Sequence, residues 1–157
     1  MSIAFKSTAF ENGQAIPEKY SQDGQNVSPP LEWQALPEGT KELALIVDDP
    51  DAPTPQPWVH WVMYKIPAGV KYLPEGVKPA DKPPEPHGAV QGVNTSDNAG
   101  YDGPRPPKGH GVHHYHFKLY ALDRALDLPP RQTKDQLLAA MKGHILDQGE
   151  LVGTYER

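Results

Sequence analysis

Proline accounts for 19 of the 157 residues, and most of these prolines fall in short clusters between segments that resemble strands. Average usage of about 5% would give roughly eight prolines in a chain of this length. Proline breaks helices and is excluded from the middle of a sheet. The distribution therefore favours a β-rich fold with long, stiffened loops over a helical bundle or a disordered chain.

Four segments have the side-chain pattern of strands. Residues 3–9 alternate apolar and polar side chains, and residues 41–49 form an apolar run that ends in two acids. Residues 58–67 are aromatic and β-branched at almost every position, which predicts a strand that is covered on both faces. Residues 113–122 form the fourth strand, and the tail at 150–157 has the character of a short strand.

One helix is predicted near the C-terminus. Thr133 can cap it, and Gln136 three residues later completes a capping box. The apolar residues that follow recur at helical spacing, which predicts a helix through about residue 147; they are Leu137, Leu138, Met141 and Ile145. The fold class expected is mainly β, with one C-terminal α-helix.

The segments between these elements are rich in turn-forming residues. Residues 24–33, 48–57 and 100–111 are expected to be loops, and residues 74–99 show no clear period. We expect the last of these to be a long surface connection. The length and the absence of repeats or linkers predict a single domain, residues 1–157.

Composition excludes several classes of protein. The chain has no cysteine, so disulfides, thiolate metal ligands and cysteine nucleophiles are excluded. The first thirty residues lack the pattern of a secretory signal, and no apolar run approaches the length of a membrane span. A cytoplasmic protein is the expectation. The net charge of −5 argues against nucleic-acid binding, although a pocket for one small anion depends on local donors instead.

The stretch HGVHHYH, residues 110–116, contains four of the seven histidines. Side chains alternate faces in a strand, so His114 and His116 share one face and His113 lies on the other. His114 and His116 could in principle hold a metal ion from a strand. The sequence shows no third metal ligand near them. We therefore expect both histidines to lie on a partly solvated face, and we expect no metal or cofactor. His110 belongs to the preceding loop.

His113 and His60 both occupy largely apolar strands. An imidazole in such a place needs a hydrogen-bond partner or a ligand. Asp49 and Asp51 follow the strand at 41–49, and a carboxylate beside a histidine can orient its ring and raise its pKa. Two interpretations stay open, because these acids can simply cap turns and His113 can simply bond a loop carbonyl.

The loop before His113 combines glycines and prolines. Its glycines, at 100, 103, 109 and 111, allow close approach of the backbone to a ligand, and its prolines fix the chain. Exposed N–H groups beside imidazoles make an anion hole. The loop lacks the sequence of a nucleotide P-loop. Arg105 and Lys108 either add positive potential at its rim or are ordinary solvated charges.

Four blocks of sequence together resemble the phosphatidylethanolamine-binding protein family, in its bacterial and archaeal Raf-kinase-inhibitor-like branch. The two most specific blocks are DPDAPTPQPWVHW (49–61) and GYDGPRPPKGHGVHHY (100–115). NVSPPLEW (26–33) and GELVGTYER (149–157) resemble further blocks of that branch. The resemblance spans nearly the whole chain with the blocks in the family's order.

The resemblance implies a β-sandwich with one C-terminal helix, long proline-rich loops and a shallow anion pocket. It also implies a cis peptide bond at Ala52–Pro53, a homodimer, and modulation of kinase signalling. Arg105 stands near a position where animal members have glycine, which is a departure from the family's pattern. The residues that the resemblance assigns to the pocket are Asp49, Asp51, Pro53, Trp58, His60, Gly103, Pro106, Pro107, His113 and Tyr115.

Three functions follow as hypotheses. The first is a binding module for a phosphate-bearing small molecule, such as a head group, or for a phosphorylated protein. The second is a hydrolase in which His60 or His113 acts as general base, oriented by Asp49 or Asp51. The third and weakest is metal binding by His114 and His116. The absence of a serine or cysteine nucleophile in either block favours a binding protein over an enzyme.

Overall fold

The structure is a computed structural model that describes residues 3–157. The elements are β1 (Ala4–Lys6), a 3₁₀ turn (Glu18–Tyr20), β2 (Leu31–Gln34), β3 (Glu42–Asp49), β4 (Trp58–Pro67), β5 (Tyr72–Leu73), β6 (Val90–Gln91), β7 (His113–Leu122), α1 (Lys134–Met141) and β8 (Ile145–Tyr155). A three-stranded antiparallel sheet has the order β1-β2-β5, and a five-stranded antiparallel sheet has the order β6-β4-β3-β7-β8.

The larger sheet is covered on both of its faces. One face packs against the smaller sheet, and the other packs against α1 and the loop before it. The first core includes Phe5, Leu31, Trp33, Leu43, Leu45, Trp61, Met63, Phe117 and Leu119. The second core includes Ala44, Ile46, Val62, Tyr64, Tyr120, Leu122, Leu137 and Met141. The expected class, mainly β with one helix in the described chain, is confirmed.

Strand β4 shows why the aromatic segment at 58–67 has no polar face. Trp61 and Met63 enter the core between the sheets, while Val62 and Tyr64 enter the core beneath the helix. All four side chains are fully buried. The sequence-based prediction of a strand covered on both faces is confirmed, and this strand lies inside the sheet, between β3 and β6.

The predicted helix start is confirmed, but its predicted end is wrong. Thr133 and Gln136 form the reciprocal capping box. The helix then ends at Met141 instead of continuing to about 147. Gly143 has a φ of 82°, a left-handed conformation that turns the chain back. Ile145 therefore begins β8 and pairs with Leu122.

Four other segments differ from their predictions. The predicted loop at 24–33 contains the first residues of β2, and the short strand predicted at 150–157 is the second half of β8. The strand expected at 3–9 is limited to Ala4–Lys6, because the Ser7 hydroxyl donates to the Pro30 carbonyl and accepts the Ala9 N–H. The connection at 74–99 does not lie wholly on the surface. It contributes β6, whose Gln91 is fully buried and accepts the indole N–H of Trp61 at 2.7 Å.

The cis peptide bond is not at the expected position. Ala52–Pro53 is trans, and the cis bond of the described chain is Glu85–Pro86. The trans geometry is accompanied by a tight turn in which the Thr54 N–H donates to the Ala52 carbonyl at 2.8 Å. No helix within residues 3–157 is long and apolar enough to cross a membrane.

Candidate functional site

A cavity of about 320 Å³ lies where β3, β4 and β7 meet the proline-rich loops. Eight of the ten residues that the resemblance assigns to the pocket line it: Asp49, Pro53, Trp58, His60, Pro106, Pro107, His113 and Tyr115. They come from the two sequence blocks at 49–61 and 100–115, and the sheet brings these blocks together. Asp51 and Gly103 do not line it.

Asp49 and His113 form a buried, hydrogen-bonded pair at the floor of the cavity. The Oδ2 atom of Asp49 lies 2.6 Å from Nδ1 of His113, and both side chains are almost fully buried. A carboxylate can only accept here, so Nδ1 of His113 carries the hydrogen. The other carboxylate oxygen of Asp49 accepts the N–H of Asp51 at 2.8 Å. This arrangement fixes the ring and aims Nε2 away from the carboxylate.

Strand alternation explains why Asp49 reaches the cavity. Leu45 and Val47 point into the core between the sheets, so Asp49, two residues later, points the same way. Asp48 points to the opposite face, where its carboxylate contacts the ammonium groups of Lys134 at 2.6 Å and Lys118 at 3.6 Å. Of two adjacent acids, one therefore serves the cavity and the other anchors the helix.

His60 reaches the cavity through a break in strand register. Val47 pairs with Trp61 and Asp48 pairs with Val59, which leaves His60 as the extra residue of a β-bulge. Simple alternation would place His60 with Val62, on the helix side of the sheet. The bulge turns the His60 side chain toward the cavity, and bulges often have this effect beside functional sites. Sequence periodicity gives no signal for this bulge.

The chemistry of His60 is set by its backbone partner and its burial. Its Nδ1–H donates to the carbonyl of Asp102 at 2.6 Å. Burial lowers the pKa of His60, and this effect outweighs the hydrogen bond to Asp102 and the nearby acids Asp49 and Asp48, which raise it. The ring is therefore neutral at pH 7, and Nε2 offers a lone pair to the cavity.

Tyr115 contributes a phenol to the same cavity. Its ring stands edge-on to the ring of His60, with centroids 5.1 Å apart. Burial raises the pKa of Tyr115, and the charges of Asp49 and Asp51 raise it further. The phenol therefore stays protonated throughout the ordinary pH range and can donate a hydrogen bond.

The first half of the proline-rich loop is held by the segment after the 3₁₀ turn. Gln22 bonds both neighbouring carbonyls of the loop: its backbone N–H donates to Pro104 at 3.0 Å, and its side-chain amide donates to Gly103 at 3.1 Å. The N–H of Gly103 donates to the side chain of Asn26 at 2.7 Å. Gly103 thus supports the loop from behind, and a Cβ there would lie 2.2 Å from the Tyr20 carbonyl oxygen.

The second half of the loop is held by the C-terminal residue. The carbonyl of Arg157 accepts the N–H of Gly109 at 3.0 Å. Its guanidinium lies 3.2 Å from the carboxylate of Asp23 and 3.4 Å from the carbonyl of Pro106. Both halves of the loop are therefore fixed by segments that are distant in sequence, which no local pattern could have predicted.

Asp51 faces away from the cavity and pairs with a different histidine. Its Oδ2 atom accepts the backbone N–H of His114 at 2.7 Å and lies 2.8 Å from Nδ1 of the same residue. Burial alone would raise the pKa of Asp51, but these contacts with His114 outweigh it and the pKa is lowered. Both side chains are well exposed.

The side chains of His114 and His116 do not converge on one point. His114 contacts Asp51, whereas Nδ1 of His116 lies 3.2 Å from the carboxylate of Glu150. Within residues 3–157 no group of three or more histidine, aspartate or glutamate side chains is arranged to hold a metal ion. The predicted division of β7 into a buried face and a more exposed face agrees with its burial pattern.

Sequence reasoning missed several residues at the site. Gln22 and Ser96 line the cavity although no motif marks them, and Ala52 and Thr54 line it although only their neighbours in the block at 49–61 were assigned to the pocket. Arg105 lines the cavity as well, and its guanidinium is the permanent positive charge of that lining, although the residue is exposed to solvent. His110 was assigned to the loop alone, yet its Nδ1 lies 2.6 Å from Nε2 of His113.

A larger groove of about 740 Å³ follows β2 and β5 on the smaller sheet. Its lining includes Trp33, Leu36 and Tyr72 but contains no histidine or aspartate. Volume alone would select this groove as the functional site. The buried and hydrogen-bonded side chains of Asp49, His60 and His113 select the smaller cavity instead.

Comparison with known proteins gives a consistent result. The sequence matches the family model described as "Phosphatidylethanolamine-binding protein" over residues 6–156. A UPF0098 protein of Methanothermobacter thermautotrophicus is 49% identical over 152 residues, which cover 97% of each chain. A UPF0098 protein of Pyrococcus abyssi is 48% identical over 96% of this chain and 84% of its own.

Two solved structures share the whole fold. A phosphatidylethanolamine-binding protein homologue from Chlamydia trachomatis has a TM-score of 0.89 and 42% identity, covering 99% of this chain and 98% of its own. YbcL from Escherichia coli has a TM-score of 0.92 and 33% identity, covering 100% of this chain and 99% of its own. The agreement extends over both sheets and the helix.

Proposed function

Because this chain belongs to the phosphatidylethanolamine-binding protein family, we propose that its cavity binds inorganic phosphate or the phosphoryl group of a small molecule. The observation that carries the proposal is the convergence of His60, His113 and Tyr115 with the cation Arg105 on one cavity. A volume of about 320 Å³ suits a small ligand or a head group.

The charges of the cavity support a single anion. An oxyanion that accepts at Nε2 of His113 needs a hydrogen on both ring nitrogens, and the Asp49 carboxylate would balance the positive charge that this places on the ring. Arg105 then supplies positive charge that no carboxylate in the cavity lining neutralises. Tyr115 adds a neutral O–H donor. An oxyanion would meet three donors of different strength.

His60 narrows the class of ligand. Because its Nδ1–H is taken by Asp102 and its pKa is lowered, its Nε2 acts as an acceptor at pH 7. A ligand that meets this nitrogen must itself donate a hydrogen. Phosphate monoesters have a second pKa of about 6 and carry such a hydrogen as monoanions. The site therefore fits hydrogen phosphate or a monoanionic phosphate monoester better than a fully ionised one.

Isothermal calorimetry with inorganic phosphate and phosphoethanolamine tests the proposal. We expect His113→Ala to weaken binding at least about tenfold, because a charge-assisted hydrogen bond is lost. The matched control is His116→Ala, which removes an imidazole from the same strand but from the face that contacts Glu150. It should leave the affinity unchanged. Absence of binding to the wild-type protein, or equal binding by His113→Ala, would contradict the proposal.

A hydrolase is the second candidate, because Asp49 orients His113 as a carboxylate orients a general base. The serine and threonine hydroxyls that line the cavity are engaged elsewhere: Ser96 donates to the Asp102 carboxylate and Thr54 donates to the Gln56 carbonyl. This arrangement favours binding over covalent catalysis. Turnover of an ester, phosphoester or peptide by the wild-type protein, abolished in His113→Ala, would reverse that preference.

A phosphorylated protein would present the same phosphoryl group as a small ligand. By binding such a partner, the chain would modulate kinase signalling. Adding a phosphoserine peptide to the calorimetry distinguishes the two sources. Tighter binding of the peptide than of phosphoethanolamine would favour a protein partner.

A further inference from the structure

His110 occupies the one nitrogen of His113 through which a ligand could bind. We propose that this contact closes the site in the ligand-free protein, and that a phosphate oxyanion binds by displacing His110 from His113. The proposal rests on the function proposed above and adds a residue that controls access to it. Two features support it, the hydrogen-bond chain Asp49–His113–His110 and the loop that carries His110.

Only one ring nitrogen of His113 can meet a ligand. Asp49 can only accept, so Nδ1 of His113 is committed as a donor to it. The remaining nitrogen, Nε2, lies 2.6 Å from Nδ1 of His110. One hydrogen lies between these two nitrogens, whichever ring carries it. In both cases Nε2 is engaged, and an oxyanion cannot accept from it at the same time.

The two partners of His113 differ in how firmly they are held. Asp49 is buried at the end of a central strand, and its second oxygen is also hydrogen-bonded. His110 is exposed and lies on the loop that precedes β7. The carboxylate is therefore a permanent partner, while the imidazole of His110 is the partner that can leave.

The backbone around His110 allows that movement. Gly109 and Gly111 flank it with φ values of 75° and 100°, a region that glycine adopts without steric cost. A Cβ built at either glycine would meet no atom within 4 Å, so the surrounding space is open. His110 is itself exposed, so its ring can turn toward solvent by rotation of the side chain. The carbonyl of Arg157 holds the loop at Gly109 while it does so.

Competition at Nε2 has a measurable consequence. If the ligand must first break the contact with His110, removal of that imidazole raises the affinity for phosphate. A net hydrogen bond of typical strength corresponds to a gain of about fivefold. If His110 instead donates to the bound anion, its removal lowers the affinity. The direction of the change therefore separates a competitor from a ligand-binding residue.

The test combines calorimetry with inorganic phosphate and ¹⁵N NMR of the histidine rings. The variant is His110→Ala, and the matched control is Val112→Ala, which alters an exposed side chain of the same loop. We expect tighter phosphate binding in His110→Ala alone. In the ligand-free protein, the Nε2 resonance of His113 should shift in His110→Ala and stay in place in Val112→Ala.

The outcomes separate this inference from the function on which it rests. Phosphate binding by the wild-type protein with equal or weaker binding by His110→Ala would overturn the inference and leave the proposed function standing. An unshifted His113 resonance in His110→Ala would overturn it as well. Absence of phosphate binding by both proteins would overturn the proposed function, and this inference with it.

Discussion

Two histidine–aspartate pairs of nearly equal geometry lie beside each other and occupy opposite surroundings. Asp49 and His113 are 2.6 Å apart with side chains 4% and 2% exposed. Asp51 and His114 are 2.8 Å apart with side chains 40% and 50% exposed. The two aspartates are two residues apart in the sequence, and the two histidines are adjacent. Burial, and not the distance between the partners, distinguishes a candidate site from a surface contact.

The difference follows from strand geometry. Neighbouring residues of β7 point to opposite faces, so His113 enters the cavity and His114 faces solvent. A charge in solvent is well hydrated and gains little from a partner. A polar group that is removed from water depends on its partner, because losing that partner leaves a buried donor or acceptor unsatisfied. The two pairs should therefore respond very differently to the same substitution.

The largest expected effect is on stability. Asp49→Ala should lower the free energy of unfolding by about 1–3 kcal/mol, because it leaves the buried Nδ1–H of His113 without its acceptor. Asp51→Ala should cost at most about 1 kcal/mol, since its partner is exposed. Urea unfolding of the two variants and the wild-type protein measures both changes. Equal losses in the two variants would break the comparison between the pairs.

A smaller effect is expected from His60, which is buried but has a backbone carbonyl as its partner in place of a carboxylate. Burial lowers its pKa in the folded protein below the value of about 6.5 expected in the unfolded chain. The unfolded state therefore binds more protons at acid pH, and stability falls as the pH drops below about 6.5. His60→Gln should lose less stability between pH 7 and pH 5 than the wild-type protein does.

The control for this prediction is His116→Gln, which changes an imidazole that contacts Glu150 near the surface. Urea unfolding at both pH values should show the wild-type loss in this control. A steeper pH dependence in His60→Gln than in the wild-type protein would contradict the assignment of His60 as a neutral, buried acceptor.

Much of the fold could be predicted because its signals are local. The aromatic run of β4, the alternation of β7 and the capping box at Thr133 each depend on neighbouring side chains. The end of the helix could not be predicted in the same way. The apolar spacing continues to Ile145, but pairing with β7 recruits that residue into β8. Tertiary pairing overrides a local period there.

The candidate site was predictable only in part for the same reason. The resemblance supplied His60 and His113, and alternation placed His113 on its face. The direction in which the His60 side chain points depends on a β-bulge, which is a property of the pairing between two strands. The roles of Gln22 and Arg157 depend on distant backbone carbonyl and N–H groups of the loop. No sequence period reports such contacts.

The most direct test of the central claim is a titration of ¹⁵N-histidine-labelled protein with inorganic phosphate at pH 6.5. The resonances of the cavity histidines, His60 and His113, should shift together and saturate with one dissociation constant. The resonances of His114 and His116 should stay in place, because their rings contact Asp51 and Glu150 outside the cavity. Shifts confined to His114 and His116, or no saturable shift at His60 and His113, would contradict the assignment of this cavity as the phosphate site.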